Sequence, residues 1–407
     1  SGGGAGWMGV WHDRSVTVDA LAPARLGPIE VRNRIIKSAT FEGLTPDHVV
    51  TDALVDFHRT VAAGGVGLST VAYLAVSRDG CGTPNEIALS PTAVPGLARI
   101  AEAVHDEGAK VSAQIGHAGA VAAATGRRGR SPSRTFSPLA MRFTKALTDA
   151  EIKQVITDFA DAATIVADAG FDAVEIHLGH GYLPSEFLSP SLNRRTDRWG
   201  GSLENRARLA REIAQAVRER VDGRLAVLAK LNMTDGVPKG LWLNESLEAA
   251  RLLEADGCLD ALVLTGGSSL QNPMYLFHGE PPVQELAATF PPALRPGFRL
   301  AASRFMRHYP YTEAYFAPMA RQYVEALDLP IVLLGGINNR DTIERAMSDG
   351  FAFVAMARAL LREPDLINRM IADEADEGLC IHCNKCMATI YTGTRCVLVE
   401  DGSAPPA

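Results

Sequence analysis

Where the run G-F-D-A-V-E-I-H-L-G-H-G-Y, Gly170 to Tyr182, passes from an apolar stretch into a loop, it brings two imidazoles and a phenol close together. Asp172 to His177 is short and apolar, holds Glu175 and is bounded by glycines, the pattern of a strand buried on both faces. His177 and His180 stand three residues apart at its exit, so both rings can converge on one acceptor atom. The Tyr182 hydroxyl lies within reach of the same point as a proton donor. Taken alone, an H-x-x-H pair more often has a structural role or forms part of a metal site than it catalyses. Zinc would need a third ligand, and none is evident in the loop that follows.

A second constellation lies near the C-terminal end. Cys380, Cys383, Cys386 and Cys396 form C-x2-C-x2-C-x9-C, while Cys81 and Cys258 stand apart. In a reducing compartment such gaps point to a metal centre rather than disulfides, because successive thiolates can wrap one centre. Spacing leaves three readings open: a 4Fe-4S cluster, a zinc ion or uncommitted thiols. His382 is less suited as a ligand, since four sulfurs already complete a set.

These groups need a scaffold. A chain of 407 residues with 47% hydrophobic content can bury a large core, as two ordinary domains or one barrel with additions. The net charge of -7 argues against nucleic-acid and anionic-membrane partners, which call for concentrated basic surface. One basic cluster, Arg127, Arg128, Arg130 and Arg134, sits among Gly, Ser and Pro; it is either a solvated loop or a hold for the phosphates of a nicotinamide cofactor. No long uncharged apolar run and no signal-peptide pattern is visible, so a cytoplasmic location is expected. Residues 1–16 are expected to form a tail. Gly4, Gly6 and Gly9 in it satisfy G-x-G-x-x-G, but no strand precedes them.

Eight apolar, β-branched runs recur at Arg34–Thr40, Val66–Tyr73, Lys110–Gly116, Asp172–His177, Leu225–Leu231, Asp260–Thr265, Pro330–Gly335 and Phe351–Met356. Helical spacing separates them, as in Thr148–Ala169, which opens on a Thr-Asp-Ala-Glu capping box and stops at Gly170. Eight strands alternating with helices predict parallel pairing and a TIM barrel over 17–375, followed by a cysteine-rich segment at 376–407. The alternative, an open doubly wound sheet, wants a glycine loop after its first strand, and none is there. Two connections, Ala118–Leu147 and Gly266–Thr312, are long enough to carry elements of their own and wall a pocket. Tyr275, Phe277 and His278 in the second would either contact substrate or anchor the loop.

The passage from Gly170 to Arg208, with H-L-G-H-G-Y-L, E-F-L-S-P, N-R-R-T-D-R-W-G-G-S and E-N-R in that order, resembles the old yellow enzyme family of FMN-dependent oxidoreductases. The resemblance implies FMN at the barrel mouth, NAD(P)H as reductant, and reduction of the C=C bond of an α,β-unsaturated carbonyl compound. His177 and His180 would hold the carbonyl oxygen, and Tyr182 would protonate the α-carbon. By the same resemblance Ser38, Ala39, Thr40, Phe41, Tyr73, Gln114 and Lys230 would contact the flavin, and Gly335, Gly336, Ala357 and Arg358 its phosphate. The chain departs from the family pattern at Phe41, where Cys or Thr is common, at Tyr73, where a small residue is usual, and at Lys230, where many relatives carry Arg. Relatives usually have Gly at the position of Ala357, a change the backbone tolerates if φ is negative. Read without the family, Lys230 is a buried cation in need of an anion, Glu175 for example.

The cysteine segment resembles the 4Fe-4S segment of the 2,4-dienoyl-CoA reductase and trimethylamine dehydrogenase branch, whose chains continue into a second nucleotide-binding domain. This sequence stops at Ala407, so a cluster would be structural, fed by a separate electron-transfer partner, or lost. The family also implies a homo-oligomer. Two rivals remain: a dehydrogenase passing electrons from flavin through the cluster, and a flavin-free barrel, either a lyase with a Schiff base on Lys230 or a binding protein.

Overall fold

The computed structural model describes residues 18–122, 128–137 and 140–399. The expected tail at 1–16 with its glycine match, Arg127 of the basic cluster and the ending at 400–407 lie outside the described residues.

Eight parallel strands close on themselves: β1 Ile35–Lys37, β2 Leu68–Ala75, β3 Lys110–Gly116, β4 Ala173–Leu178, β5 Ala226–Asn232, β6 Ala261–Thr265, β7 Ile331–Leu334 and β8 Phe353–Met356. β8 pairs with β1 through Val354↔Ile35 to Met356↔Lys37, and β1 pairs with β2 through Ile36↔Leu68, which completes the ring. The barrel expected from the eight apolar runs is therefore present. Three strands run on past their expected ends, β4 and β5 by one residue and β2 by two. β2 continues to Ala75, with an irregular register between Val71 and Leu74. At that irregularity the Ala72 amide leaves the ladder and donates to Glu42 Oε2 at 3.2 Å.

Alternation along the strands sorts the interior by height. Ile36, Leu68, Ala173, Leu228, Val263, Val332 and Phe353 form an apolar lower plug. The hairpin Ala24–Leu26 with Ile29–Val31 closes its base through Ala24, Leu26 and Val31. Two residues further along the same faces stand Ser38, Thr70, Glu175, Lys230 and Thr265. The strand exits therefore carry polar side chains on an apolar floor, and a barrel places its chemistry at that end.

Helices wrap the outside, and their starts are encoded locally. Asp149–Asp168 begins at Thr148, whose hydroxyl accepts from Glu151 N while Glu151 reaches back, the expected capping box. Asp52–Ala63 and Leu203–Val221 are capped by Thr51 and Ser202 in the same sense. Both long connections carry elements. The first holds the short pairs Arg130–Ser131 with Lys145–Ala146 and Phe136–Ser137 with Arg142–Phe143; the second holds helices Met274–Phe277, Val283–Ala288 and Arg295–Phe305.

Candidate active site

The penultimate residue of β4 is His177, which is buried and faces the barrel mouth in register with Lys230 of β5. The chain then turns through His180 at φ +61°, a left-handed conformation that is costly for a residue with a Cβ. Two contacts hold it there. Its amide donates to Asn232 Oδ1 at 3.0 Å, and its Nε2 shares a hydrogen bond with Thr265 Oγ1 at 2.8 Å. Tyr182 follows as the residue capping helix Leu183–Leu188. The three expected side chains meet: the His177 ring centroid is 5.0 Å from that of His180 and 4.5 Å from that of Tyr182. His177 Nδ1 is buried without a partner, an open valence at the mouth.

Burial decides the protonation of all three. It drives His177 well below the ordinary histidine value, with the neighbouring His180 and Lys230 adding to the fall. Burial and then Lys230 bring His180 down to about 3. Both imidazoles are therefore neutral near pH 7, each with one N–H to give. Burial, Glu86 and Tyr391 push the Tyr182 hydroxyl upward, so it keeps its proton.

Tyr73, expected against the flavin, packs on the acid side of this trio, 5.1 Å from the Tyr182 centroid and 6.3 Å from that of His177. Its hydroxyl donates to Gly80 O at 3.3 Å. With Phe41, Ala39, Ala72 and Cys81 it forms an apolar pad under Tyr182. Gly116 is required beside it, because a Cβ there would stand 2.7 Å from the Tyr73 ring.

Across the mouth, Ser38, Gln114 and Lys230 come together around Glu175. Glu175 Oε1 accepts from Gln114 Nε2 at 2.7 Å and pairs with Lys230 Nζ at 3.0 Å, while Lys230 donates to Ser38 Oγ at 3.3 Å. The ion pair left open for Lys230 is thus present, and it is built into the polar group expected to meet a flavin. A hydroxyl, an amide and an ammonium converging on a mouth floored by apolar side chains suit the edge of a heteroaromatic ring. Behind β1, Thr40 Oγ1 donates to Glu42 at 3.1 Å, and Glu42 pairs with the buried Lys37 at 2.5 Å. The motif reading missed Glu42. The signal for it is a Lys and a Glu five residues apart with no other charge between them.

Gly335 and Gly336 leave β7 at φ +113° and +77°, where Cβ atoms would stand 2.6 Å from the rings of Phe316 and Tyr315 respectively. Ala357 has φ -123°, so the residue that departs from the family pattern carries no left-handed strain. Arg358 donates to His278 O at 3.1 Å and to Asn384 Oδ1. His278 stacks on Tyr315 at 4.0 Å, and Tyr275 packs edge-on to Tyr309 at 5.1 Å, so both anchor the second long connection through packing.

Beyond the bonds between Asn338 and Gly378 after β7, the cysteine segment meets the barrel at two further points that motif spacing does not reveal. At one, Asn384 meets Arg358 after β8, and His382 stacks on Tyr311 at 3.6 Å. At the other, Thr394 N donates to Glu42 O at 2.8 Å and its hydroxyl to Phe41 O, after β1. Cys380, Cys383, Cys386 and Cys396 line one cavity together with Arg358 and Asn384. Burial raises Cys386 to about 11, with Arg358 opposing and the other three thiols adding. Among the described residues no group of three or more His, Cys, Asp and Glu side chains is arranged to hold a metal ion.

Residues 20–262 match the model of the NADH:flavin oxidoreductase / NADH oxidase family. The chain is 53% identical over 384 residues to a 4,4'-dithiodibutanoate disulfide reductase of Rhodococcus erythropolis, covering 94% of this chain and 95% of that protein. It is 30% identical over 380 residues to a multifunctional alkene reductase/demethylase of Caballeronia cordobensis, covering 90% of this chain but 51% of the longer relative. In structure it resembles the old yellow enzyme homologue from Zymomonas mobilis, with TM-score 0.70 at 22% identity, covering 90% of this chain and 96% of the other. The chain belongs to the NADH:flavin oxidoreductase / NADH oxidase family. It is an FMN-dependent NAD(P)H oxidoreductase on a TIM barrel, and among the described residues no helix is long and apolar enough to cross a membrane.

Proposed function

We propose that this oxidoreductase reduces the C=C bond of α,β-unsaturated carbonyl compounds at the expense of NAD(P)H. The observation that carries this reading is the pair of neutral imidazoles, His177 and His180, beside the protonated phenol of Tyr182. FMN, when bound, supplies the hydride it has taken from NAD(P)H. His177 and His180 donate to the carbonyl oxygen and stabilise the negative charge that grows there as the β-carbon is reduced. Neutral donors suit this task, since the oxygen gains charge only in passing. Tyr182 then delivers its proton to the α-carbon; a phenol is a weak acid, but an enolate is basic enough to take it. Ser38, Ala39, Thr40, Phe41, Tyr73, Gln114 and Lys230 hold the ring side of the cofactor. Gly335, Gly336, Ala357 and Arg358 hold its phosphate.

The four cysteines carry a 4Fe-4S cluster, a centre that transfers single electrons. Their convergence on one cavity supports it. A separate electron-transfer partner, a homo-oligomeric assembly and a cytoplasmic location complete this reading.

A second reading has its own support. The relative at 53% identity is a disulfide reductase, so an organic disulfide is the competing acceptor: hydride adds to one sulfur, the S–S bond breaks, and Tyr182 protonates the departing thiolate. Anaerobic turnover with NADH and NADPH, offering 2-cyclohexenone and 4,4'-dithiodibutanoate separately, decides between them. Saturated ketone as product at the higher kcat/KM supports the first reading. Thiol production with no ketone reduction overturns it.

A further inference from the structure

Glu175 is a buried carboxylate on the inner face of β4, and one of its oxygens serves two neighbours. It stands in register with Gln114 of β3 and Leu228 of β5, so the backbone ladder fixes its position. We infer that Glu175 is the positioning residue that sets both the hydrogen-bonding sense of Gln114 and the effective charge of Lys230 toward the flavin. The inference rests on the proposed seating of FMN against Gln114 and Lys230.

A carboxylate offers only acceptors. Because Glu175 Oε1 lies 2.7 Å from the Gln114 amide, the NH2 group must face it and the carbonyl oxygen must point away. Gln114 is thereby committed to presenting an acceptor, the partner a ring N–H requires. A neutral amide at position 175 could face Gln114 with either end and would leave that choice open.

The same oxygen pairs with Lys230 at 3.0 Å. On the outer face Lys37 has its own carboxylate, Glu42, so the two lysines at this end are matched one to one. A cation beside a flavin favours the reduced form, which carries the negative charge, and a carboxylate on that cation subtracts from the effect. Glu175 therefore holds the cofactor at a lower potential than Lys230 alone would give.

The test is the midpoint potential and dissociation constant of FMN in purified Glu175→Gln, Glu175→Asp, Lys230→Met and the Glu175→Gln/Lys230→Met double variant. Glu175→Gln is expected to shift the potential upward, and the double variant to bring it back toward wild type. Glu175→Asp keeps the charge but shortens the reach. It should leave the potential near wild type while weakening FMN binding about tenfold, the loss of one charge-assisted hydrogen bond. A merely structural carboxylate would change stability without moving the potential. A flavin-loaded Glu175→Gln protein with an unchanged potential overturns the inference. If that variant does not fold, Glu175→Asp with unaltered FMN affinity overturns it. Should Lys230→Met and Gln114→Ala both leave affinity and potential untouched, the seating of FMN fails instead.

Discussion

His180 Nε2 lies 2.8 Å from Thr265 Oγ1, a bond that ties the loop after β4 to the exit of β6. When the threonine hydroxyl donates to Nε2, Nδ1 carries the proton and His180 can donate from it to an anionic oxygen, so Thr265 supports that tautomer.

Thr265→Val should therefore raise the KM for the acceptor roughly tenfold, the worth of one hydrogen bond of about 1.4 kcal/mol. Bleaching of the bound flavin by NAD(P)H should proceed at the wild-type rate. Stopped-flow measurement of the two half-reactions checks this; unchanged acceptor kinetics would show that the tautomer is set elsewhere.

Tyr182→Phe removes the proton donor and leaves the ring packing against Tyr73 and His177 in place. Alkene reduction should fall by about 10²–10⁴-fold while flavin reduction stays fast. Equal slowing of both half-reactions would remove the assigned role.

Burial depresses His117 from 6.5 to about 4, with Asp79 pulling it back and Arg130 adding to the fall. Between these values the unfolded chain binds a proton that the folded one refuses, so stability falls as the pH drops. The neutral ring contributes fully above pH 6.5 and loses on the order of 1.4 kcal/mol per pH unit down to about 4. Urea unfolding of wild type and His117→Asn should thus converge as the pH falls from 7 toward 4. A constant difference between them would refute the assignment.

Anaerobically purified protein should contain iron and acid-labile sulfide in roughly equal amounts, about four of each. Cys383→Ala should lose both yet retain FMN, because Asn384 and Thr394 fasten the segment without sulfur. Stoichiometric zinc with no sulfide would favour a different centre.

The fold was legible because burial on both faces writes β4 and β5 as short, mainly apolar runs, and because Thr148 and Glu151 mark a helix start within four residues. The trio of His177, His180 and Tyr182 was legible for a similar reason: it lies within six residues of one strand exit. What could not be read depends on side chains distant in sequence. Glu175 meets Gln114 across 61 residues, and Thr394 meets Phe41 across 353. No periodicity encodes such contacts. The extension of β2 escaped for the same reason, since Glu42 lies 30 residues from the amide it draws out of the ladder.

The pairing of β1 with β8 also has a consequence for biosynthesis. β1 is made roughly 300 residues before its second neighbour, so at about 5–20 residues per second its free edge waits on the order of tens of seconds on the ribosome. Until β8 emerges the nascent sheet displays unpaired amides and carbonyls at both margins, the surface on which misassembly begins. Substitutions in Phe353–Met356 should therefore reduce the yield of native enzyme in cells more than they weaken the finished molecule.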